Sequence, residues 1–224
     1  SRFMFGGQAS VPLVVRMPHG GGMNAGPQHS QCLEAWFSHV PGLKVVCPAT
    51  VQDAYALTSA AIRDPDPVIL VENKALYAMK GELPDDIPDA TIGEALILRE
   101  GQDVTLVSYG AAVFTCLKAA EAMANEGISV EVIDLRTLQP WDKATVSASL
   151  EKTHRAIVVH EAVRSYGAGA EIAATIGEIC FGELDAPVGR VGAPFMPVPY
   201  APSLEKAYIP DSQDVIQAIY SALE

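Results

Sequence analysis

One histidine stands where the local sequence favours a chemical role. His29 closes a glycine-rich stretch, residues 16–31, which includes the three consecutive glycines Gly20 to Gly22. So many glycines predict a loop that turns tightly or passes close to another body. Because a free imidazole has a pKa of about 6.5, His29 is able to donate a hydrogen bond to a developing oxyanion or to relay a proton. Simple packing of the loop is the alternative explanation.

The glycine-rich loop is expected to run directly into a helix. Ser30 is a suitable N-cap, and four apolar residues then recur at the spacing of one helix face, namely Leu33, Trp36, Phe37 and Val40. A helix that begins here would favour the neutral imidazole of His29, because the positive end of its macrodipole disfavours added positive charge.

Two carboxylates stand two residues apart in a second loop. Asp64 and Asp66 lie within Ala61 to Pro67, just after the end of a predicted helix. Carboxylates together with the free carbonyls of a helix end supply the oxygen ligands that a hard cation prefers. A solvated acidic turn is the simpler interpretation of the same residues.

The remaining histidines give weaker signals. His160 and Glu161 end a predicted strand, and ligand sites in open α/β sheets lie beyond the carboxyl ends of strands. Pairing of His160 with a neighbouring carboxylate or carbonyl is still the favoured explanation. Surface or helix-end positions are expected for His19, His39 and His154.

Several kinds of site are not predicted. The four cysteines are scattered without a short pairing, which argues against a zinc site and a disulfide framework. The sequence contains no Ser-His-Asp signature and neither the GxxxxGK[ST] nor the GxGxxG pattern, so nucleotide binding by those motifs is excluded.

Composition limits the class of protein further. The 224 residues are 49% hydrophobic and 19% charged, as in folded globular proteins. A formal net charge of -12 argues against nucleic acid as a partner, because phosphate binding needs clustered Lys and Arg. No apolar run approaches the roughly 20 residues of a membrane span, and no signal-peptide pattern is present, so a cytoplasmic protein without a membrane partner is expected.

Strand and helix patterns alternate along the whole chain, which predicts an α/β fold with mostly parallel sheets. Residues 73–92 lack this periodicity and are rich in Pro, Gly and acidic residues, so they are expected to link two domains. The first unit shows only three strands and two helices, fewer than a parallel sheet usually has. We therefore expect part of this unit to lie upstream of Ser1.

Several motifs occur together. The first half contains FGGQASVPLVVRMPHGGGMNAGPQHSQCLEAWFSHVPGLKVVCPAT and AIRDPDPVILVENKALY, and the second half contains DVTLVSYGAAV, VEVIDLRTLQPWD and HEAVRSYGAGAEIAATI. Together they resemble the beta subunit of the thiamine-diphosphate-dependent decarboxylating component of 2-oxoacid dehydrogenase complexes, of the pyruvate, acetoin or branched-chain type. The likeness runs essentially from end to end.

The resemblance implies an α/β fold with two domains. Residues 1–80 would form part of a pyrimidine-binding, transketolase-like parallel-sheet domain, residues 81–95 a linker, and residues 96–224 a transketolase C-terminal α/β domain. The implied activity is oxidative decarboxylation of a 2-oxoacid, with pyruvate favoured, and acyl transfer to lipoamide.

The resemblance also implies cofactors and partners. Thiamine diphosphate would be held with magnesium mainly by an alpha subunit, in an α2β2 heterotetramer in which beta subunits also associate with each other. The acyl group would pass to a lipoyl acyltransferase core. The location would be the bacterial cytoplasm, or the mitochondrial matrix in a eukaryote.

Two sets of residues match functional positions of the family. His29 matches the active-site histidine of the HSQ motif, which would assist the substrate or lipoyl step. A potassium site, built mainly of carbonyl oxygens, is implied at Leu13, Ala61, Ile62, Asp64 and Asp66. Relatives often have asparagine where Asp66 stands, which changes the charge of this site.

One family feature is expected outside these residues. The glutamate that activates the pyrimidine, and the aromatic residue that stacks on it, would lie upstream, in agreement with the low strand count of the first unit. The resemblance therefore implies an N-terminally truncated subunit, and we expect no decarboxylation by this polypeptide alone.

Two other functions remain open. The chain could serve as an assembly module that docks to the acyltransferase core without catalysis of its own. It could also belong to a single-chain transferase similar to transketolase or deoxyxylulose phosphate synthase.

Overall fold

The computed structural model of the chain describes residues 2–224 and contains two sheets. The first sheet has three parallel strands, β1 (Val14–His19), β2 (Lys44–Val46) and β3 (Val68–Asn73), in the order β1-β3-β2. β3 is central and carries a continuous apolar run, as expected for a strand covered on both faces. Among the described residues, no helix is long and apolar enough to cross a membrane.

Helices α1 (Gly26–His29), α2 (Glu34–Ser38) and α3 (Val51–Arg63) accompany the first sheet. α3 begins as its sequence predicts, because the Thr50 hydroxyl accepts a hydrogen bond of 3.0 Å from the Asp53 N–H. The helix expected from Ser30 is wrong in its start and length. Ser30 is not an N-cap, and α2 is a single turn and a half that leaves Trp36 70% exposed.

The second sheet has five strands, in the order β4-β6-β5-β8-β9. They are β4 (Leu96–Arg99), β5 (Val104–Ser108), β6 (Val130–Asp134), β8 (Ala156–Val163) and β9 (Gly189–Ala193). All neighbours pair in parallel except β4 with β6, which makes the sheet mixed. This architecture confirms the α/β class, with parallel pairing dominant.

Helices cover both faces of the second sheet: α4 (Ala112–Ala124), α5 (Lys143–Thr153), α6 (Ala168–Ile179), α7 (Pro202–Tyr208) and α8 (Ser212–Leu223). α4 and α8 pack side by side, and buried Met123 and Ile219 belong to their common core. α8 begins with a capping box, in which Asp211 and Asp214 each accept from the other's N–H.

Several short elements have no recognisable sequence pattern, among them β4, α7 and a further strand, β7 (Thr137–Gln139). Pro140 follows β7 and precedes α5, whose N-cap is Asp142. Short elements such as these depend on tertiary contacts more than on local propensity.

β7 joins the two halves of the chain. It pairs in an antiparallel manner with β2, through Val46 opposite Thr137 and Val45 opposite Gln139, so a strand from the second half completes the first sheet. The same buried cluster contains Val45 of the first sheet and Ile133 of the second. The two sheets therefore share one hydrophobic core.

A buried charged group lies beside this junction. Arg136 pairs with Asp53 of α3 at 2.9 Å, and both side chains are almost fully buried. Asp134, at the end of β6, accepts a hydrogen bond of 2.9 Å from the Arg136 N–H, but its Oδ2 has no hydrogen-bond partner among the described residues. Burial, helped by the nearby Asp53 charge, raises the pKa of Asp134 to about 8, because the hydrogen bond from Arg136 offsets these effects only in part.

This arrangement predicts a pH dependence of stability. The carboxyl group of Asp134 stays protonated in the folded chain up to about pH 8, whereas in the unfolded chain it ionises near its ordinary pKa of 3.8. Its contribution to stability is therefore lost progressively as pH rises from about 4 to about 8. We expect Asp134→Asn to become increasingly more stable than the original chain over this range, measured by urea unfolding at each pH.

Glu121→Gln, on the exposed surface of α4, is the control for this pH series and should show no such trend. Equal pH profiles for Asp134→Asn and the original chain would contradict the assignment of the buried acid.

Candidate functional site

The glycine-rich loop leaves the end of β1 and returns to the same place. Gly20 donates a hydrogen bond of 3.4 Å to the Gln31 carbonyl, which closes the base of the loop. Gly20 has a φ of +84°, and a Cβ there would overlap the side-chain amide of Asn73. Glycine is thus required by backbone conformation and by close approach to Asn73.

His29 is the last residue of α1 and is exposed. The structure corrects the expected helix-dipole effect, because α2 begins only at Glu34 and no helix of the described chain starts directly after His29. The imidazole instead stands at the end of the single helical turn α1, two residues before the Gln31 carbonyl that closes the loop, and it is exposed to solvent.

Lys74 fixes the backbone around His29. Its ammonium donates a hydrogen bond of 2.7 Å to the Gly20 carbonyl and another to the His29 carbonyl. Burial lowers the pKa of Lys74, although the nearby charges of Cys32, Glu161 and Glu205 oppose this effect. One side chain therefore ties together the first and last parts of the loop.

Two carboxylates from the second half hold the same loop. Glu161 accepts hydrogen bonds from the Gly21 N–H and from the Asn73 amide, the latter at 2.7 Å. Glu205, on α7, accepts from the Asn24 N–H at 2.8 Å. These bonds satisfy N–H groups that a glycine-rich loop cannot pair within itself.

Glu161 was expected at the end of a strand, but it lies inside β8 and points toward the loop. Its neighbour His160 is a core residue, fully buried and stacked on Tyr109 with ring centroids 6.1 Å apart. Neither ring nitrogen of His160 has a hydrogen-bond partner among residues 2–224, so the expected pairing is wrong. Burial lowers the pKa of His160 and favours the neutral ring.

Tight packing explains the small residues that follow His160. A Cβ at Gly169 would overlap the imidazole, so the small-residue face of α6 serves internal packing here.

A buried polar cluster lies at the base of the loop. Glu34 accepts a hydrogen bond of 2.7 Å from the Tyr109 hydroxyl, and its other oxygen lies 3.5 Å from Nδ1 of His19. Burial alone would raise the pKa of Glu34, but His19 and Tyr109 outweigh it and lower the pKa to about 2. His19 was expected at the surface, but it is buried at the end of β1.

A cavity of about 230 Å³ opens next to this cluster. Its lining includes Ser30, Cys32, Glu161 and Tyr208, but not His29. The Ser30 hydroxyl is buried without a partner among the described residues and is therefore free to bind a ligand. Within residues 2–224, no Lys or Arg lines the cavity, so the residues present could accept the ring end of thiamine diphosphate but not its charged diphosphate.

Leu13 lies next to the turn that carries the other residues of the implied potassium site. The Leu13 carbonyl accepts a hydrogen bond of 2.9 Å from the Val68 N–H, next to the Asp64 and Asp66 turn. Lys44 pairs with Asp64 at 2.5 Å and with Asp66 at 3.7 Å. The carboxylates are thus already compensated by an ammonium group, and a cation bound here would depend on carbonyl oxygens such as those of Ala61 and Ile62.

The sequence did not predict most of the side chains that fix the glycine-rich loop and the polar cluster at its base. Lys74, Glu34 and Glu205 stand in segments without a recognisable motif, and their partners are distant in the chain. Only Glu34 offered a signal in the sequence, because a charged residue within an apolar helical pattern indicates a buried side chain that needs a polar partner. The four cysteines are all free thiols.

Comparison with known sequences identifies two families. The model of "Transketolase, pyrimidine binding domain" matches residues 1–80, and that of "Transketolase, C-terminal domain" matches residues 93–215. The chain is 45% identical over 222 residues to pyruvate dehydrogenase E1 component subunit beta-2, mitochondrial, of Oryza sativa, covering 97% of this chain and 59% of the relative.

Other relatives agree with these matches. Identity is 46% to pyruvate dehydrogenase E1 component subunit beta-1, mitochondrial, of Arabidopsis thaliana, covering 97% of this chain and 61% of the relative. The chain is also 46% identical to the beta subunit of acetoin:2,6-dichlorophenolindophenol oxidoreductase of Cupriavidus necator, and this match covers 97% of this chain and 64% of the relative. The chain thus spans about three fifths of the length of these relatives.

The fold has also been seen in a solved structure. A split-gene transketolase, described as an inactive beta4 tetramer, superposes with a TM-score of 0.80 at 24% identity and covers 96% of this chain and 67% of its own. Fold, family matches and similarity to E1 beta subunits agree with the resemblance. The chain belongs to the transketolase family, with a pyrimidine-binding segment followed by a C-terminal domain of that family.

Proposed function

We propose that this chain is part of the beta subunit of a thiamine-diphosphate-dependent 2-oxoacid dehydrogenase, with pyruvate as the favoured substrate and lipoamide as acyl acceptor. The observation that supports this most strongly is the exposed His29 on a loop held from both halves of the chain. Identities near 45% to pyruvate and acetoin enzyme subunits support the same class of reaction.

The chain's own contribution is to hold a proton-transfer group in place. His29 would donate a hydrogen bond or a proton to the substrate or lipoyl group, since its ring is exposed while its backbone is fixed by Lys74. Bound thiamine diphosphate would supply the carbanion-stabilising chemistry. Glu161 and Glu205 would act as positioning residues, because they accept hydrogen bonds from the loop backbone and, in the case of Glu161, from Asn73.

The absence of Lys and Arg from the lining of the cavity, among the described residues, supports a partner subunit. A diphosphate group needs cations, and none of the described Lys and Arg residues lines this cavity, which supports a proposal that an alpha subunit binds the diphosphate with magnesium. Beta subunits would associate with each other in an α2β2 heterotetramer, and a lipoyl acyltransferase core would receive the acyl group. Relatives named as mitochondrial and bacterial support a matrix or a bacterial cytoplasmic location.

A reconstitution assay tests the proposal. The full subunit that carries this chain is purified with its alpha subunit, thiamine diphosphate and magnesium, and pyruvate-dependent acylation of a lipoyl domain is measured. We expect turnover that depends on both subunits and on the cofactor. Ketol transfer between sugar phosphates in the same preparation, without 2-oxoacid turnover, would favour the transketolase-like alternative instead.

In this assembled enzyme, His29→Ala should lower kcat by roughly 10²- to 10⁴-fold, because a positioned acid or base typically contributes that much. The thermal midpoint should not change, since the side chain of His29 is exposed. His39→Ala, an exposed histidine at the end of α2, is the matched control and should retain full turnover. Equal kcat values for the two variants would remove His29 from the mechanism.

Glu205 gives a test of loop positioning. Glu205→Ala frees the Asn24 N–H and should lower kcat by about 10- to 100-fold through misplacement of the loop. Glu205→Gln keeps an acceptor oxygen and should restore most of the loss. If Gln and Ala variants have the same kcat at equal thermal stability, then Glu205 does not position the loop.

We also propose that potassium binds at the carbonyl oxygens of Leu13, Ala61, Ile62, Asp64 and Asp66. The folded chain should then have a higher thermal midpoint in potassium chloride than in choline chloride at the same ionic strength, which keeps screening constant. Identical midpoints in the two salts would show that the turn binds no potassium and that the Lys44 and Arg2 side chains suffice to compensate its carboxylates.

A further inference from the structure

Three side chains with different metal-ligating atoms converge at the base of the glycine loop. Nδ1 of His19, Sγ of Cys32 and a carboxylate oxygen of Glu34 all lie within 4.8 Å of one another. His19 ends β1, whereas Cys32 and Glu34 follow the loop, so the three residues meet only because the loop closes on itself. Their spacing along the chain, H-x12-C-x-E, is unlike the short ligand motifs by which metal sites are usually recognised.

Two of these ligand atoms are buried and unsatisfied. Nδ1 of His19 and Oε2 of Glu34 form a long ion-pair contact of 3.5 Å, and beyond this contact neither atom has a hydrogen-bond partner among the described residues. His19 is 7% exposed and Glu34 1% exposed, so water cannot easily satisfy them. The two atoms make only this one long contact with each other, so both remain able to bind a third body placed to one side of them.

The separation suits a tetrahedral cation. Zinc–nitrogen and zinc–oxygen bonds of about 2.0–2.2 Å place two ligand atoms of a tetrahedral site about 3.3–3.5 Å apart. The His19–Glu34 distance already has this value, and Cys32, which is only partly buried, needs a small side-chain adjustment to complete the set. The Tyr109 hydroxyl would hold the carboxylate from its other oxygen.

We propose that His19, Cys32 and Glu34 form a binding site for a thiolate-preferring divalent cation, with Zn²⁺ the best match. A thiolate, an imidazole and a carboxylate are all ligands of zinc, and together their charge balances that of the ion. Cys32 and Glu161 line the 230 Å³ cavity, which gives the ion a path to the site and leaves its fourth position to water.

The local charges favour a cation. The charges of Glu34 and Glu161 act on Cys32, and those of Glu161 and Glu205 act on Lys74, so three carboxylates lie near one ammonium group in this region. Burial, and then the charges of Glu34 and Glu161, raise the pKa of Cys32, so the metal-free site holds a thiol. Metal binding would release the Cys32 proton to solvent as the sulfur–metal bond forms.

A bound ion would tie together the two ends of the glycine loop. His19 precedes the loop and Cys32 and Glu34 follow it, so the three bonds would close residues 20–31 into a ring. This effect concerns the chain itself and does not depend on the proposed catalytic function.

The test uses Co²⁺ as a spectroscopic probe in the metal-free chain. We expect one Co²⁺ per chain, with the ultraviolet charge-transfer band of a thiolate–cobalt bond, and displacement of the Co²⁺ by Zn²⁺. Cys32→Ser should abolish this band, while Cys180→Ser, which removes a buried thiol elsewhere in the chain, should keep it. Glu34→Gln should weaken Zn²⁺ binding by at least roughly tenfold.

A second measurement guards against misfolded variants. Zn²⁺ should raise the thermal midpoint of the original chain and of Cys180→Ser, but not that of Cys32→Ser, because an ion that binds only the folded state stabilises it by mass action. Cobalt binding without a thiolate band, a band that survives Cys32→Ser, or no binding at micromolar metal would each overturn the proposal.

Discussion

The structure depends on one constraint: a loop made largely of glycine cannot hold its own shape. Glycine has no side chain with which to pack, and its backbone loses much conformational freedom on folding. Here the N–H groups of Gly21 and Asn24 are paired with Glu161 and Glu205 from the other half of the chain, and Lys74 binds two of the carbonyls. The exposed histidine is therefore positioned by side chains far away in sequence.

That constraint requires the two halves to keep a fixed relation. The carboxylates can reach the loop only if the second sheet stays against the first, and the shared core that contains Val45 and Ile133 provides this. The strand β7 and the Arg136–Asp53 pair add polar contacts at the same junction. The contact between the two halves therefore forms the shared hydrophobic core and also fixes the glycine-rich loop.

The sequence was sufficient where a pattern is local and long. The apolar stripe of α4, the Thr50 cap of α3 and the closing helix α8 each depend on residues only a few positions apart, so the sequence alone is enough to indicate them. The glycine-rich stretch correctly predicts that the chain turns tightly before His29, but the single helical turn α1 that ends at His29 was not predicted, because glycine and proline there favour a loop.

The sequence was insufficient where a residue's role depends on a distant partner. His19 looks like a surface residue until the loop folds back and places Glu34 beside it. Glu161 looks like the polar end of an apolar strand, and only the tertiary structure shows that it reaches a loop 140 residues upstream. The helix after Ser30 was overestimated, because its apolar residues are divided between core and surface and Trp36 is left exposed.

The strand β7 also bears on how such chains can be recombined. Family boundaries separate residues 1–80 from residues 93–215, but hydrogen bonding between β2 and β7 crosses that division. Residues 2–80 expressed alone would leave β2 as a bare edge, which is a template for aggregation. If the C-terminal domain were exchanged between relatives, the new domain would have to supply a β7 that pairs with the existing β2. The three residues of β7 therefore limit which pairs of domains can be combined.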